Sequence, residues 1–140
     1  MSSHPLSIRF DATLLDRVRR GAAARDTTPS GLVQRLVDEG LRAQEHPGIV
    51  FRDGPSGRRA ALIAGPDVWE VVAALQLSAA SADVAVTTTA GEMGLSIDQV
   101  KTAIDYYGSY SAEIEDQVSA NERAADEAYA AWQAQQRLLA

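Results

Sequence analysis

Two polar side chains near the start of the chain, Ser7 and Arg9, stand where they could recognise DNA bases. They alternate with apolar residues, and this period of two predicts a short half-buried β-strand over residues 5–11. An arginine on the outer face of a strand can make a two-pronged hydrogen bond to guanine. We therefore expect this strand to read bases, although an ordinary solvated strand face has the same pattern.

Two amphipathic helices are predicted to follow this strand and to position it. Leucine, valine and alanine recur at helical spacing over residues 12–25 and again over residues 29–45. Thr28 followed by Pro29 is typical of an N-cap with proline at the first helical position. The second helix should end at His46, because Pro47 disfavours helical backbone before it. The first domain is therefore expected to span residues 1–46.

A domain of this size needs a second copy of itself. It cannot bury much apolar surface alone, and a single strand leaves its backbone groups without hydrogen-bond partners. Pairing with the same strand of another chain about a two-fold axis would satisfy both needs. The expected homodimer has a core formed by Leu6, Ile8, Phe10, Leu32 and Leu36.

The segments LSIRFD, ATLLDRVRRGAAARDTT and PSGLVQRLVDEGLRA resemble the ribbon-helix-helix repressor family. The resemblance implies a dimeric β-α-α domain that binds operator double-stranded DNA. It implies that the exposed strand residues Pro5, Ser7 and Arg9 read bases, although Pro5 offers no polar group. It also implies that the start of the second helix, which falls on Thr28, Pro29 and Ser30, holds phosphate through backbone N–H groups, as helix N-termini suit anions; Thr28 as an ordinary cap is the alternative.

The charge distribution permits this function. The net charge is -6, but residues 1–45 hold seven arginines against six acidic residues, and the excess of negative charge lies entirely in residues 46–140. Nucleic acid is therefore not excluded at the N-terminus. The acidic remainder is expected to avoid DNA and to favour a basic partner.

Residues 47–109 are predicted to form a β-hairpin followed by helices. The runs IVFR and RRAALI flank the turn DGPSG, a helix begins near Pro66, and Ser96 with Gln99 fits a capping box. We expect Gly108 to end that last helix. This segment resembles a family of winged-helix-like domains found in antitoxins. The whole chain is thereby similar to VapB-type antitoxins, which repress their own operon and neutralise a toxin of the PIN-like ribonuclease type.

Residues 110–140 favour a third region, one long helix without proline or glycine after Ser111. The residues expected to bind the toxin are Tyr129, Trp132, Arg137, Leu138 and Leu139. By the resemblance, Arg137 would enter the carboxylate cluster of the nuclease, although a terminal arginine is more often solvated. Alternatively, Trp132 and Leu139 pack on the chain's own helices, or on a second chain as a coiled coil.

The sequence as a whole predicts a mainly α (α+β) protein that is not an enzyme and holds no cofactor or metal. Cysteine is absent and the two histidines, His4 and His46, lie far apart, so no catalytic or zinc pattern is present. The chain shows no signal peptide or membrane helix, and we expect a cytoplasmic protein. Two alternatives to an antitoxin are a stand-alone repressor with a ligand-sensing or oligomerising C-terminal domain, and an adaptor that binds no DNA.

Overall fold

The computed structural model describes residues 2–55 and 57–140, which contain five helices and one β-hairpin. They divide into two compact units, Met1–Arg42 and Ala43–Ala140. The elements in chain order are α1 (Ala12–Ala24), α2 (Pro29–Glu45), β1 (Ile49–Gly54), β2 (Gly57–Leu62), α3 (Val68–Leu77), α4 (Ala82–Met93) and α5 (Ile97–Leu139).

The predicted N-terminal strand is wrong, and with it the predicted β-α-α start of the fold. Residues 2–11 have no regular secondary structure, and the chain enters its first helix directly. Among the described residues, β1 and β2 pair with each other and no strand pairs with the N-terminal segment. An alternating sequence forms a strand only where another strand can make hydrogen bonds to its backbone N–H and C=O groups. Leu6 and Ile8 are accordingly 82% and 55% exposed.

The two helices of the N-terminal unit begin where the sequence predicts. The side chain of Asp11 accepts a hydrogen bond of 2.8 Å from the backbone N–H of Leu14, and Thr28 Oγ1 accepts one of 3.0 Å from Gly31. Such cap side chains accept hydrogen bonds from backbone N–H groups that have no partner within the helix. Leu32 is buried against α1, where a Cβ on Gly21 would lie 3.2 Å from its Cδ2.

The hairpin predicted in the second unit is confirmed. β1 and β2 pair antiparallel from Ile49 opposite Leu62 to Gly54 opposite Gly57. Gly57 has a φ of +116°, a conformation that L side chains rarely adopt and that glycine permits. The end of β2 is buried and joins the core, whereas the turn end of the hairpin is largely exposed.

Helices α3, α4 and α5 complete this core. Ser96 accepts a hydrogen bond from the N–H of Gln99, and the Gln99 side chain accepts one from the N–H of Ser96, which confirms the predicted capping box. Gly94, with φ +66°, ends α4 in the left-handed conformation. The buried residues of the core come from the hairpin and all three helices: Ile49, Ala60, Leu62, Val68, Val71, Val72, Ala90, Val100, Ala103, Tyr106, Ile114 and Val118.

Helix α5 consists of the two helices that the sequence predicts, joined across a kink that lies two residues after the predicted end at Gly108. It continues to Leu139, with one residue of non-helical backbone at Tyr110 (φ -132°, ψ 39°). Kinks occur at glycine–serine pairs, and Gly108 and Ser109 stand immediately before Tyr110. No helix in the described part of the chain has the length and apolar character needed to cross a membrane.

Candidate functional site

An open groove of about 830 Å³ lies on the N-terminal unit. Its walls come from the N-terminal segment and from both helices, and most of its lining is apolar. The apolar residues that line it are Pro5, Leu6, Ile8, Phe10, Leu15, Val18, Pro29, Val33, Val37 and Leu41. Apolar side chains exposed together in this way are accessible to another molecule.

The residues expected to bind DNA are not gathered at one place. Pro5, Pro29 and Ser30 line the groove, whereas Ser7 and Arg9 are exposed outside its lining. Thr28 caps α2 through its hydroxyl. Their roles in DNA binding stay predictions.

The residues expected to form a dimer core differ in their surroundings. Leu6, Ile8 and Phe10 line the groove. Leu32 is buried inside the unit, and Leu36 is 49% exposed and lies outside the groove lining. A second copy could therefore reach the first three residues and Leu36, but it could not reach Leu32 without opening the unit.

The N-terminal unit carries several arginines, and these differ in whether their side chains form an ion pair or a hydrogen bond. Arg20 forms an exposed ion pair of 3.2 Å with Asp16, and Arg25 donates a hydrogen bond to the carbonyl of Gly21. Arg9, Arg17 and Arg19 are exposed and make no ion pair with a described residue. These three side chains have positive charge available for a phosphate backbone.

The last third of α5 carries exposed apolar side chains. Nearly every residue from 121 to 140 is exposed. Tyr129 and Trp132 are 60% and 53% exposed and stack on each other, with ring centroids 5.9 Å apart and 23° between the planes. Leu138 and Leu139 are 84% and 79% exposed. The alternative that Trp132 and Leu139 pack on the chain's own helices therefore does not describe this structure.

Arg137 also lies on this exposed part of the helix. It is exposed and makes no ion pair with any residue in the described part of the chain. The structure thus brings all five residues expected to bind a toxin onto one exposed helical segment. Packing normally supplies most of a helix's stability, so this segment is suited to gain stability from a partner.

Charged and aromatic side chains form a cluster at the N-terminus of α3. This cluster was not predicted as a site from the sequence. Asp67 Oδ1 lies 3.2 Å from Arg52, and Asp67 Oδ2 lies 3.3 Å from Arg59. The same Oδ2 accepts a hydrogen bond of 3.1 Å from the indole of Trp69, and Glu70 accepts one from the Asp67 N–H. The spacing of Asp67 and Glu70 could have indicated the cap, but nothing in the sequence pairs Asp67 with the hairpin arginines.

A second unassigned cluster surrounds the kink of α5. Tyr106 donates a hydrogen bond of 3.1 Å to Glu113, and Tyr107 donates one of 2.6 Å to Glu115. The hydrogen bond to Glu115, followed by burial and the negative charge of Glu115, raises the pKa of Tyr107 above its ordinary value of 10.0. These bonds join residues on the two sides of Tyr110.

His46 completes the kink cluster. Its Nδ1 lies 3.2 Å from Asp105 Oδ2, and its ring meets Tyr106 and Tyr110 edge-on with centroids 5.3 Å and 5.9 Å apart. The buried ring thus fastens the chain after α2 to the outer part of the core. In the described part of the chain, no group of three or more histidine or acidic side chains is placed to hold a metal.

No protein-family model matches this chain, and no curated protein and no solved structure does so either.

Proposed function

We propose that this chain is an antitoxin that acts in the cytoplasm as a homodimer. Its N-terminal unit binds operator double-stranded DNA and represses its own operon, and its C-terminal helix binds and neutralises a protein toxin. The observation that carries the proposal is the exposed end of α5, where a stacked Tyr129–Trp132 pair and two terminal leucines face solvent. Exposed aromatic side chains on a regular element are the residues that dominate protein interfaces.

The character of this helix favours a basic protein partner. From residue 111 onward the chain has six acidic residues against two arginines, and opposite charge accelerates association and suppresses wrong partners. The resemblance to VapB-type antitoxins points to a PIN-like ribonuclease. Such a nuclease has clustered carboxylates, and Arg137 is the side chain we assign to them, by charge-assisted hydrogen bonds.

Three exposed arginines of the N-terminal unit support the proposal that it binds DNA. Arg9, Arg17 and Arg19 are exposed and lack acidic partners among the described residues, and contacts of arginine with phosphate supply a large share of the affinity for DNA. The apolar groove supplies a surface on which two copies can join. A dimer presents two sets of these arginines and so doubles the number of phosphate contacts.

The experiment that tests the proposal separates the two activities by truncation. We expect the full chain to copurify with the product of the adjacent gene, to block its ribonuclease activity, and to retard DNA taken from upstream of the chain's own gene. A variant that lacks residues 128–140 should lose toxin binding and keep DNA binding. The toxin assignment fails if the truncated chain still neutralises the toxin, and the DNA assignment fails if the full chain does not bind the upstream DNA.

A further inference from the structure

The exposed end of α5 has one face without charge. With 3.6 residues per turn, every side chain of residues 119–139 that lies within about 60° of Ala128 around the helix axis is uncharged. This face is called the uncharged stripe, and its members are Asn121, Trp132, Gln135, Leu139 and the alanines at 124, 125, 128 and 131. Ile114 and Val118, which are buried in the core, point to the same side of the helix, at about 40° and 80° from Ala128. The stripe therefore continues the face by which α5 packs on its own core.

The end of α3 lies at the edge of the core beside the exposed part of α5. Gln76 donates a hydrogen bond of 2.6 Å to Glu115, so the last turn of α3 is next to α5 shortly before the stripe begins. A rise of about 1.5 Å per residue places Asn121 about 9 Å and Ala128 about 20 Å beyond Glu115. A small domain is about 30 Å across, so a domain that lies on the stripe also reaches the end of α3.

The segment from the end of α3 to the first turn of α4, residues 77–84, is called the α3–α4 connection. All its residues except Ser78 are exposed, and Asp83 is its only charged residue. Leu77 is 88% exposed, more than Leu138 at 84%, and Val84 is 53% exposed. The Ser78 hydroxyl accepts a hydrogen bond of 3.3 Å from the backbone N–H of Ala80, which stabilises the turn. The connection thus presents two large aliphatic side chains next to the place where the stripe leaves the core.

We propose that the protein toxin contacts the α3–α4 connection together with the uncharged stripe, with Leu77 and Val84 as its contacts at the core end. This inference rests on the proposed function and adds a second contact to the C-terminal helix. A stable interface uses about 20–30 residues on each side, and only one side of the exposed end of α5 can face a partner. The connection supplies further residues on a surface that is continuous with the stripe.

The charges around this surface favour a basic toxin over a second copy of the chain. Glu122, Asp126 and Glu127 lie at about 100° or more from Ala128, so they border the stripe and stay outside it. Asp83 adds a fourth carboxylate at the connection. A second copy would bring the same carboxylates to the contact, whereas a toxin with an apolar surface and basic margins complements them.

The test maps the surface by cysteine labelling of the full chain, which has no cysteine of its own. Leu77→Cys probes the connection, Ala128→Cys probes the stripe, and Ile63→Cys is an exposed control in the turn before α3. Each variant is treated with a small maleimide, alone and with a saturating amount of the product of the adjacent gene, and mass spectrometry measures the label on the chain. Labelling of Leu77→Cys and Ala128→Cys should slow at least about tenfold, because a contact that excludes water also excludes the reagent. Ile63→Cys should react at an unchanged rate.

The possible results keep this inference apart from the proposed function. Protection of Ala128→Cys without protection of Leu77→Cys overturns the inference and leaves the C-terminal helix as the toxin's site. If neither variant is protected, the proposed function fails and the inference fails with it. Slower labelling of Leu77→Cys as the chain's own concentration rises, without toxin, would make a second copy the occupant and would also overturn the inference.

A second measurement gives the contribution of Leu77 to affinity. Leu77→Glu should raise the Kd for the same toxin at least about tenfold, since a carboxylate in an apolar contact loses its water without a compensating partner. Ile63→Glu, which adds the same charge to an exposed aliphatic position outside the surface, should leave the Kd unchanged. The two side chains are 88% and 57% exposed, so neither change removes a core contact, and urea unfolding checks this. Equal Kd values for the two variants would show that the toxin does not contact the connection.

Discussion

Tyr107 and Glu115 are joined by a hydrogen bond of 2.6 Å across the irregular residue Tyr110 of α5. Gln76 of α3 donates to the same carboxylate oxygen, also at 2.6 Å. Glu115 therefore holds the two segments of α5 together and connects both to α3. The kink is therefore a defined part of the fold, because hydrogen bonds from Tyr107 and Gln76 to Glu115 attach the helix after the kink to the core.

The raised pKa of Tyr107 predicts a loss of stability at high pH. The folded protein holds the phenolic proton more tightly than the unfolded chain, because Tyr107 donates it to Glu115. By linkage, this contribution is complete below the ordinary tyrosine pKa of about 10 and is lost as the pH rises through the higher folded value. The free energy of unfolding should therefore fall above about pH 10, and less steeply in Tyr107→Phe.

A titration of tyrosinate absorbance provides the direct measurement. The part of the absorbance change that occurs above the ordinary tyrosine pKa should decrease by one tyrosine in Tyr107→Phe and stay the same in Tyr129→Phe, which removes an exposed tyrosine from the same helix. If both variants retain this part in full, the bond to Glu115 does not control the ionisation of Tyr107.

Asp67 should contribute more to stability than Asp53, although each is an aspartate paired with arginine beside or within the hairpin. The Asp67 side chain is 19% exposed and contacts Arg52, Arg59 and the indole of Trp69. Asp67→Asn should lower the free energy of unfolding by about 1–3 kcal/mol, as expected for the loss of charge-assisted hydrogen bonds at a part-buried site.

The matched control is Asp53→Asn. The Asp53 side chain is 77% exposed and lies 3.5 Å from Arg58, and exposed pairs contribute less than about 1 kcal/mol. Urea unfolding of both variants measures the difference. Equal losses would mean that Asp67 acts as a surface charge and does not fasten the hairpin to α3.

Ile114 and Ile104 give a test of where α5 packs on the core. Ile114 is completely buried after the kink, whereas Ile104 is 38% exposed before it. Ile114→Ala should cost about 2–5 kcal/mol, since it removes buried methylenes and leaves a cavity. Ile104→Ala should cost less than half as much. A similar loss in both variants, measured by urea unfolding, would contradict the placement of Ile114.

The sequence predicted the elements that depend on local signals. Both N-terminal helices, the hairpin and the capping box of Ser96 with Gln99 follow from helical spacing, turn residues and caps, and the structure confirms them. The strand at residues 5–11 failed because alternation describes one face of a strand and does not supply the partner that its backbone needs. The predicted helix end at Gly108 falls two residues before the kink at Tyr110, and the second predicted helix follows that kink and packs on the core through Ile114 and Val118.

The clusters around Asp67 and Tyr107 lay beyond sequence reasoning for a different reason. Arg52 and Asp67 are 15 residues apart, and Gln76 and Glu115 are 39 apart. Only tertiary packing brings such residues together, and charge or polarity in the sequence does not show which pairs form. The exposure of the aromatic residues of α5 could be predicted, because a helix with so few apolar residues lacks a continuous apolar face that could pack on the core.

Arg9 and Arg20 should differ in their contribution to DNA binding. Arg9 makes no ion pair with a described residue, whereas Arg20 is paired with Asp16 at 3.2 Å. Arg9→Ala should weaken binding to the upstream DNA and lower the slope of log affinity against log salt concentration by about 1, as for one lost phosphate contact. Arg20→Ala should have a smaller effect, because its charge is already partly neutralised. Affinities of both variants at several salt concentrations decide the question, and unchanged affinity in a folded Arg9→Ala protein would remove Arg9 from the interface.

Val37 and Leu36 separate two views of how the N-terminal unit dimerises. They are adjacent in α2 and about equally exposed, at 51% and 49%, but only Val37 lines the groove. The groove predicts that Val37→Asp abolishes the dimer, because it places a carboxylate in an apolar contact where its desolvation has no compensating partner. The helical pattern in the sequence instead places Leu36 in the dimer core.

Sedimentation of the two variants decides between these views. If Val37→Asp is monomeric and Leu36→Asp remains dimeric, the groove is the contact surface. The reverse result places the contact on the Leu36 face of α2, and two dimeric variants would remove both faces, because a buried unpaired carboxylate is incompatible with a packed interface.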